Sequence, residues 1–200
     1  MHGLPGTMGP RQIYSSTHLC QAKRQKETHM PDLTKLDPYG DNGDVRMVVE
    51  TPKGSSVKLR YEPKIEVFTV ARALMLGTTY PFDWGFIPGT KGEDGDPIDA
   101  LAIHDSATYP GVVLNCRLLG LVQIEQKGEQ GRESNPRVIL MPTWHDRLGE
   151  MEKASGLPQR LREEIEQFFL NATFFTEKDA KVKGWLGPQA ADKLIKESVS

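Results

Sequence analysis

The run Gly92-Glu93-Asp94-Gly95-Asp96-Pro97-Ile98-Asp99-Ala100-Leu101-Ala102-Ile103 constrains this chain more than any other stretch. Three aspartates fall within six positions, are broken by a glycine and a proline, and lead directly into an apolar segment. Glycine permits a tight turn and proline fixes its own φ, so the acids belong on a constrained loop. Asp94 and Asp96, two apart, can point to one side of an extended backbone, and Asp99 returns at the start of the next strand. Like charges this close repel unless a cation sits between them, and a hard, oxygen-seeking ion such as Mg2+ suits the set. The plain alternative is an acidic surface turn, since Asp-Gly-Asp and Asp-Pro are turn dipeptides. An EF-hand loop is opposed by the missing run of further oxygen ligands and the missing glutamate at its twelfth position.

The 200 residues make one ordinary domain, long enough to bury a real core. A formal charge of -2 opposes a dedicated nucleic-acid binder. Cys20 and Cys116 suggest no disulfide framework, and Cys116, among strand-like residues, reads as a small buried apolar group. No apolar run approaches the roughly 18 residues of a membrane span, so a cytoplasmic protein away from membranes is expected. Residues 1–44, rich in Gly, Pro, Ser and Thr without an apolar period, read as an irregular N-terminal extension before a domain over 45–200. The first 26 residues hold four bases (Arg11, Lys23, Arg24, Lys26) and no acid, a faint transit-peptide pattern. Glycines and prolines spoil its helical face, and a native start at Met30 explains the stretch as readily.

From Val45 the pattern turns to strands: Val45–Glu50, Val57–Tyr61, Ile65–Val70, Leu101–Ile103, Val112–Leu114, Leu118–Ile124 and Val138–Met141. Many short strands with Gly/Pro turns point to a closed or partly open barrel. Residues 128–136 read as a polar hairpin loop. A helix is expected from near Gly156, with Pro158 in its first turn and Leu157, Leu161, Ile165, Phe168 and Phe169 as its apolar stripe. The charges of 160–166 read as its solvated face. A second helix over Gln189–Glu197 presents Ala190, Ala191, Leu194 and Ile195. His104 and His145 have no partner at metal-site spacing, so His104 is expected at a rim or in the core.

Asp94-Gly-Asp-Pro-Ile-Asp99 resembles the signature of the soluble family I inorganic pyrophosphatases. Upstream, Tyr80-Pro81-x-x-Trp84-Gly85-Phe86-Ile87-Pro88, Val49-Glu50-Thr51-Pro52-Lys53-Gly54-Ser55, Lys58 and Arg72 are similar to the family's segments. Downstream, Pro110-Gly111, Cys116-Arg117, Gly120, Phe168-Phe169 and Lys181-Val182-Lys183-Gly184-Trp185 also fit, so the resemblance covers residues 45–197. It implies a mainly β fold, a five-stranded OB-like closed barrel with flanking helices. It also implies Mg2+-dependent hydrolysis of pyrophosphate, with Mn2+ as a substitute ion, and assembly into homo-oligomers. By the same resemblance Asp94, Asp96 and Asp99 are metal ligands, and Asp96 is the catalytic carboxylate beside the attacking water. Lys58, Arg72, Trp84 and Arg137 contact the substrate phosphates, and Glu50 is an acid behind the metal ligands.

The chain also departs from the family pattern. Arg60 stands where the family has an acid, and Trp84 where it has a phosphate-binding tyrosine, keeping a ring without the hydroxyl. Gln126 and Asn135 replace two aspartates, Arg137 replaces a lysine, and Ala172 and Thr173 replace a tyrosine-lysine pair. Two carboxylates turned into neutral amides leave less charge to attract metal, so about one or two ions are expected instead of a larger set. Glu125, Glu129 or Glu133 are candidates to replace a missing acid, and Lys178 or Lys181 the missing lysine. Three functions follow as expectations: a pyrophosphatase with an altered site, a phosphohydrolase for an organic phosphate or diphosphate, and a non-catalytic metal- or phosphate-binding relative.

Overall fold

Alternation along the strands sorts their side chains into two cores on opposite sides of one sheet. The computed structural model describes residues 32–128, 131–144 and 151–200. Its strands are β1 (Val45–Thr51), β2 (Val57–Glu62), β3 (Val67–Ala73), β4 (Asp83–Ile87), β5 (Ile98–Ala102), β6 (Val113–Gly128), β7 (Gly131–Ser134), β8 (Arg137–Pro142) and β9 (Lys181–Leu186). The helices are α1 (Gln159–Ala172) and α2 (Pro188–Glu197).

β1 pairs antiparallel with β4 and with β6, β4 with β5, and β6 with β8; β5 and β8 pair in parallel. These pairings close a ring of five strands, β1-β4-β5-β8-β6, and make the implied barrel. Inside it lie Met47 and Val49 of β1, Ala100 and Ala102 of β5, Val138 and Leu140 of β8, and Cys116 of β6. Ala191 and Ile195 of α2 join that interior cluster, so the short second helix plugs the barrel. The intervening residues point outward: Leu101, Ile139 and Met141 pack with Ile165, Phe168 and Phe169 of α1. β6 serves both cores because its register shifts between Leu118 and Gly120, which exchanges its two faces.

The sequence pattern locates this architecture and misses some of its boundaries. Val113–Leu114 and Leu118–Ile124 belong to one long strand, β6, which reads as two because Asn115 and Arg117 interrupt its apolar residues. β3 starts two residues later than expected, because Ile65 lies in the turn and Glu66 takes a positive φ of 54°. The expected loop over 128–136 holds β7, paired with the end of β6. β4 and β9 escape a search for alternation; β4 is buried at every position and so does not alternate. The first α-helical residue is Gln159, with Pro158 as the N-cap and Gly156 in a preceding 3-10 turn. One member of the supposed solvated face, Glu166, accepts the Trp185 indole N–H at 2.6 Å and ties β9 to α1.

Of the N-terminal extension, residues 1–31 lie outside the described residues, and with them Cys20 and Met30. Residues 32–44 hold a 3-10 turn, Leu33–Lys35, whose Leu33 packs with Val48, Tyr61 and Phe86. Among the described residues no helix is long and apolar enough to cross a membrane. His104 is a core residue: its Nε2 lies 3.2 Å from Asp83 Oδ2, and Asp83 also accepts from the Lys53 amide at 2.8 Å. His145 lies outside the described residues.

Closure depends on Gly85. A Cβ there would sit 1.8 Å from the Val48 carbonyl oxygen on the facing strand. Gly85→Ala therefore forces β1 and β4 apart, and we expect a loss of about 3 kcal/mol or more, read by chemical denaturation. An unchanged midpoint would show that the two strands can separate at no cost.

Candidate active site

The acidic run forms the connection between β4 and β5. Gly95 takes a φ of +85°, which its missing Cβ permits, and the Asp96 amide donates to Asp94 Oδ1 at 3.2 Å. Asp99 sits on β5 opposite Phe86 of β4. Lys58 on β2 and Arg72 on β3 face each other across the hairpin, an unfavourable pair in isolation. Asp99 and Glu50 lie near enough to offset part of that repulsion at Lys58, although burial still pulls the Lys58 ammonium down from its ordinary pKa. Arg137 opens β8, next to the parallel pairing of Ala100 with Val138.

These elements converge on one cavity. Its lining holds Lys58, Arg72, Trp84, Arg137, Asp94, Asp96 and Asp99, so seven of the eight site residues expected from the sequence meet there. Glu50, the eighth, lines the adjoining cleft with Lys58, Arg60 and Asp99. It is buried at 7% exposure and its Oε1 accepts the Tyr61 amide at 2.8 Å, which fastens β1 to β2. Burial pushes the Glu50 carboxyl up to about 7, and the negative charge of Asp99 adds to the rise.

Arg137 is the most constrained cation. Its Nη1 donates to Asp99 Oδ2 at 2.8 Å and to the Asn135 carbonyl at 2.9 Å, and also to the Asn135 side-chain oxygen. Its guanidinium lies 5.4 Å from the Trp84 ring centroid, and the Lys58 ammonium 5.8 Å from the same ring. Trp84 thus supplies a face for two cations. Its own indole N–H is buried without a hydrogen-bond partner among the described residues. Trp84 therefore brings to the cavity a ring without a hydroxyl.

Asp94 Oδ2 accepts from the Asn135 amide nitrogen at 2.9 Å, and Asp96 Oδ1 from Arg60 Nη2 at 3.1 Å. Burial raises the Asp94 carboxyl, with the charges of Asp99 and Asp96 adding to it and Arg137 opposing. Among the described residues, no group of three or more His, Cys, Asp or Glu side chains converges closely enough to hold a metal ion. The donor set fits a hydrated Mg2+, which needs only one or two carboxylates and keeps its waters. It does not fit a multi-ion cluster: Gln126 and Asn135 are amides, and Asp96 and Asp99 each face a guanidinium.

The candidate replacements separate in space. Glu125 pairs with Arg132 at 3.6 Å and Lys183 at 3.5 Å, away from the cavity. Glu133 accepts from Gln126 Nε2 at 2.7 Å and lines a neighbouring cleft with Asp94 and Lys178. Glu129 lies outside the described residues. Lys178 lines the cavity, whereas Lys181 faces Asp179 at 3.9 Å. Ile124, Phe168, Phe169, Ala172 and Ala180 give the cavity an apolar share of its lining, with Thr173 beside them. Tyr80, edge-on to Phe168 at 5.0 Å, also lines the cavity and had no separate role in the sequence reading. Only its place in the Tyr80–Pro88 segment could have signalled it.

Residues 47–200 match a family model described as inorganic pyrophosphatase. The inorganic pyrophosphatase of Thermus thermophilus is 34% identical over 176 residues, 86% of this chain and 98% of that protein. That of Aquifex pyrophilus is 35% identical over 169 residues, 81% of this chain and 92% of that protein. The crystal structure of the Thermus thermophilus inorganic pyrophosphatase aligns with a TM-score of 0.77 at 31% identity, covering 84% of this chain and 97% of that one.

The raised Glu50 carboxyl makes stability pH-dependent. Its folded pKa lies above the unfolded value, so its stabilising share is whole below about 4.5 and is lost as pH rises through about 7. Against Glu50→Gln, which keeps an acceptor for Tyr61 N–H, the wild type should lose about 3 kcal/mol of relative stability over that window. Urea titrations at several pH values check this, and a flat difference would refute it.

Proposed function

The chain belongs to the inorganic pyrophosphatase family, and from that premise we propose that this cavity hydrolyses pyrophosphate to two phosphates. The observation that carries the reading is the meeting of Asp94, Asp96 and Asp99 with Lys58, Arg72 and Arg137 on one cavity. In the reaction a water oxygen forms a bond to one phosphorus and the bridging P–O bond breaks. One water is consumed and the bridging oxygen leaves with the second phosphate. Asp96 orients the water and accepts its proton. Lys58 and Arg72 hold phosphate oxygens, and Arg137, fixed by Asp99 and Asn135, offers its remaining donors to the charge that develops on the leaving phosphate. Glu50 is a positioning residue: through the Tyr61 amide it holds β2, and so Lys58, against the barrel. Mg2+, or Mn2+ in its place, would be held by one or two of Asp94, Asp96 and Asp99 and, when bound, would polarise the phosphate and make the water more acidic.

A second reading is favoured by the apolar wall of Ile124, Phe168, Phe169, Ala172 and Ala180, which suits an organic group on one phosphate. Phosphate release separates the two. The wild type should release phosphate from pyrophosphate with Mg2+ and with Mn2+, and Asp96→Asn should be slower by about 100-fold or more. Release from organic diphosphates alone favours the second reading, and no release with either metal removes hydrolysis altogether.

A further inference from the structure

We propose that Thr90 is a positioning residue for metal binding: its hydroxyl, with main-chain contacts from residues 34 and 198–200, fixes the root of the loop that carries Asp94, Asp96 and Asp99. The inference rests on the metal reading of those aspartates and concerns how they are held. Ile87 and Ile98 are the last facing residues of β4 and β5, and residues 88–97 lie between them. Thr90 is buried at 5% exposure, and its Oγ1 donates to the Ile87 carbonyl at 2.6 Å and accepts the Ile98 amide at 3.0 Å. One hydroxyl, acting as donor and acceptor, thus joins both limbs of the loop at its base. The branched Cβ of Thr90 restricts its rotamers, so the joint is stiff. Asp99 is the residue after Ile98, and Asp96 lies two before it.

The same limb is gripped on both sides by segments far away in sequence. The Gly89 amide donates to the Thr34 carbonyl at 2.7 Å. Opposite, Thr90 pairs antiparallel with Val199, the Lys91 amide donates to the Ser198 carbonyl at 2.7 Å, and the Ser200 amide to the Gly89 carbonyl at 3.0 Å. Residues 198–200 follow α2, whose Ala191 and Ile195 fill the barrel. The barrel plug therefore sets where this strap lies and, through Thr90, where the loop begins. Beyond Lys91 the loop has its own main-chain bonds, from the Gly92 amide to the Asp96 carbonyl at 2.7 Å and from the Gly95 amide to the Gly92 carbonyl at 3.1 Å. Asp94 and Asp96 sit on its exposed tip. Carboxylates on such a tip keep their spacing only if the root is fixed, because every freed backbone residue regains conformational entropy that binding must then remove.

The test is calorimetric titration of the full chain with Mn2+, which reads the loop without turnover. Thr90→Val keeps the branched shape and removes the hydroxyl; it should weaken Mn2+ binding by about tenfold. Thr90→Ser retains the hydroxyl and should stay within roughly threefold of the wild type. The metal concentration for half-maximal phosphate release should rise in Thr90→Val by the same factor, with the rate at saturating metal recovered to within about threefold. Ser200 is exposed, so Ser200→Pro should fold; it removes the N–H that Gly89 accepts and should weaken Mn2+ by about threefold. Thr90→Val binding Mn2+ as tightly as the wild type, Thr90→Ser as weak as Thr90→Val, or Ser200→Pro unchanged would each overturn the inference. A wild type that binds no Mn2+ would overturn it together with the metal reading. The expected losses in a protein that releases no phosphate would leave it standing and remove only the hydrolysis.

Discussion

The contact between Arg137 and Asp99 joins the barrel to its chemistry. Arg137 is 7% exposed, and a guanidinium buried that far without a partner would cost several kcal/mol. Asp99 and Asn135 accept its N–H groups and Trp84 covers its face, so the charge is held in one orientation. The pair also lies beside the one parallel junction of the ring, between β5 and β8. Strand order therefore places a cation of one strand against an acid of its neighbour, and the rest of the site is arranged around that pair.

Packing supplies the rigidity. The inner residues of the ring close over Ala191 and Ile195 of α2, while the outer residues hold α1. α1 in turn carries Phe168 and Phe169 to the cavity wall, where Phe169 meets Trp84 edge-on at 6.0 Å and Phe168 meets Tyr80. One aromatic cluster thus belongs both to the outer core and to the site. A change in α1 packing would move the ring that orients Lys58 and Arg137.

Charge is distributed so that no acid on the cavity is left alone. Each aspartate has a nitrogen donor from a separate element, and the like-charged Lys58 and Arg72 are kept together by nearby Asp99 and Glu50. Glu50 is held by a backbone amide, and its burial raises the carboxyl to about 7.

Much of this is written locally in the chain. The Asp94–Asp99 run, Lys58, Arg72 and the apolar stripe of α1 are legible because their chemistry or period is contained within a few neighbouring residues. Short strands separated by Gly and Pro turns were enough to indicate a barrel. Three things were not legible. β4 is buried on both faces and so shows no alternation, and β6 looked broken because Asn115 and Arg117 interrupt its apolar residues. The partners of the acids come from residues 36 to 41 positions away, such as Arg60 for Asp96 and Asn135 for Asp94. The amino-acid sequence determined which charges and rings this protein has and the elements that bear them. Only the tertiary structure decided that Arg60, Asn135 and Arg137 would meet the aspartates. Closing a ring of strands sets distances between residues that no local pattern encodes.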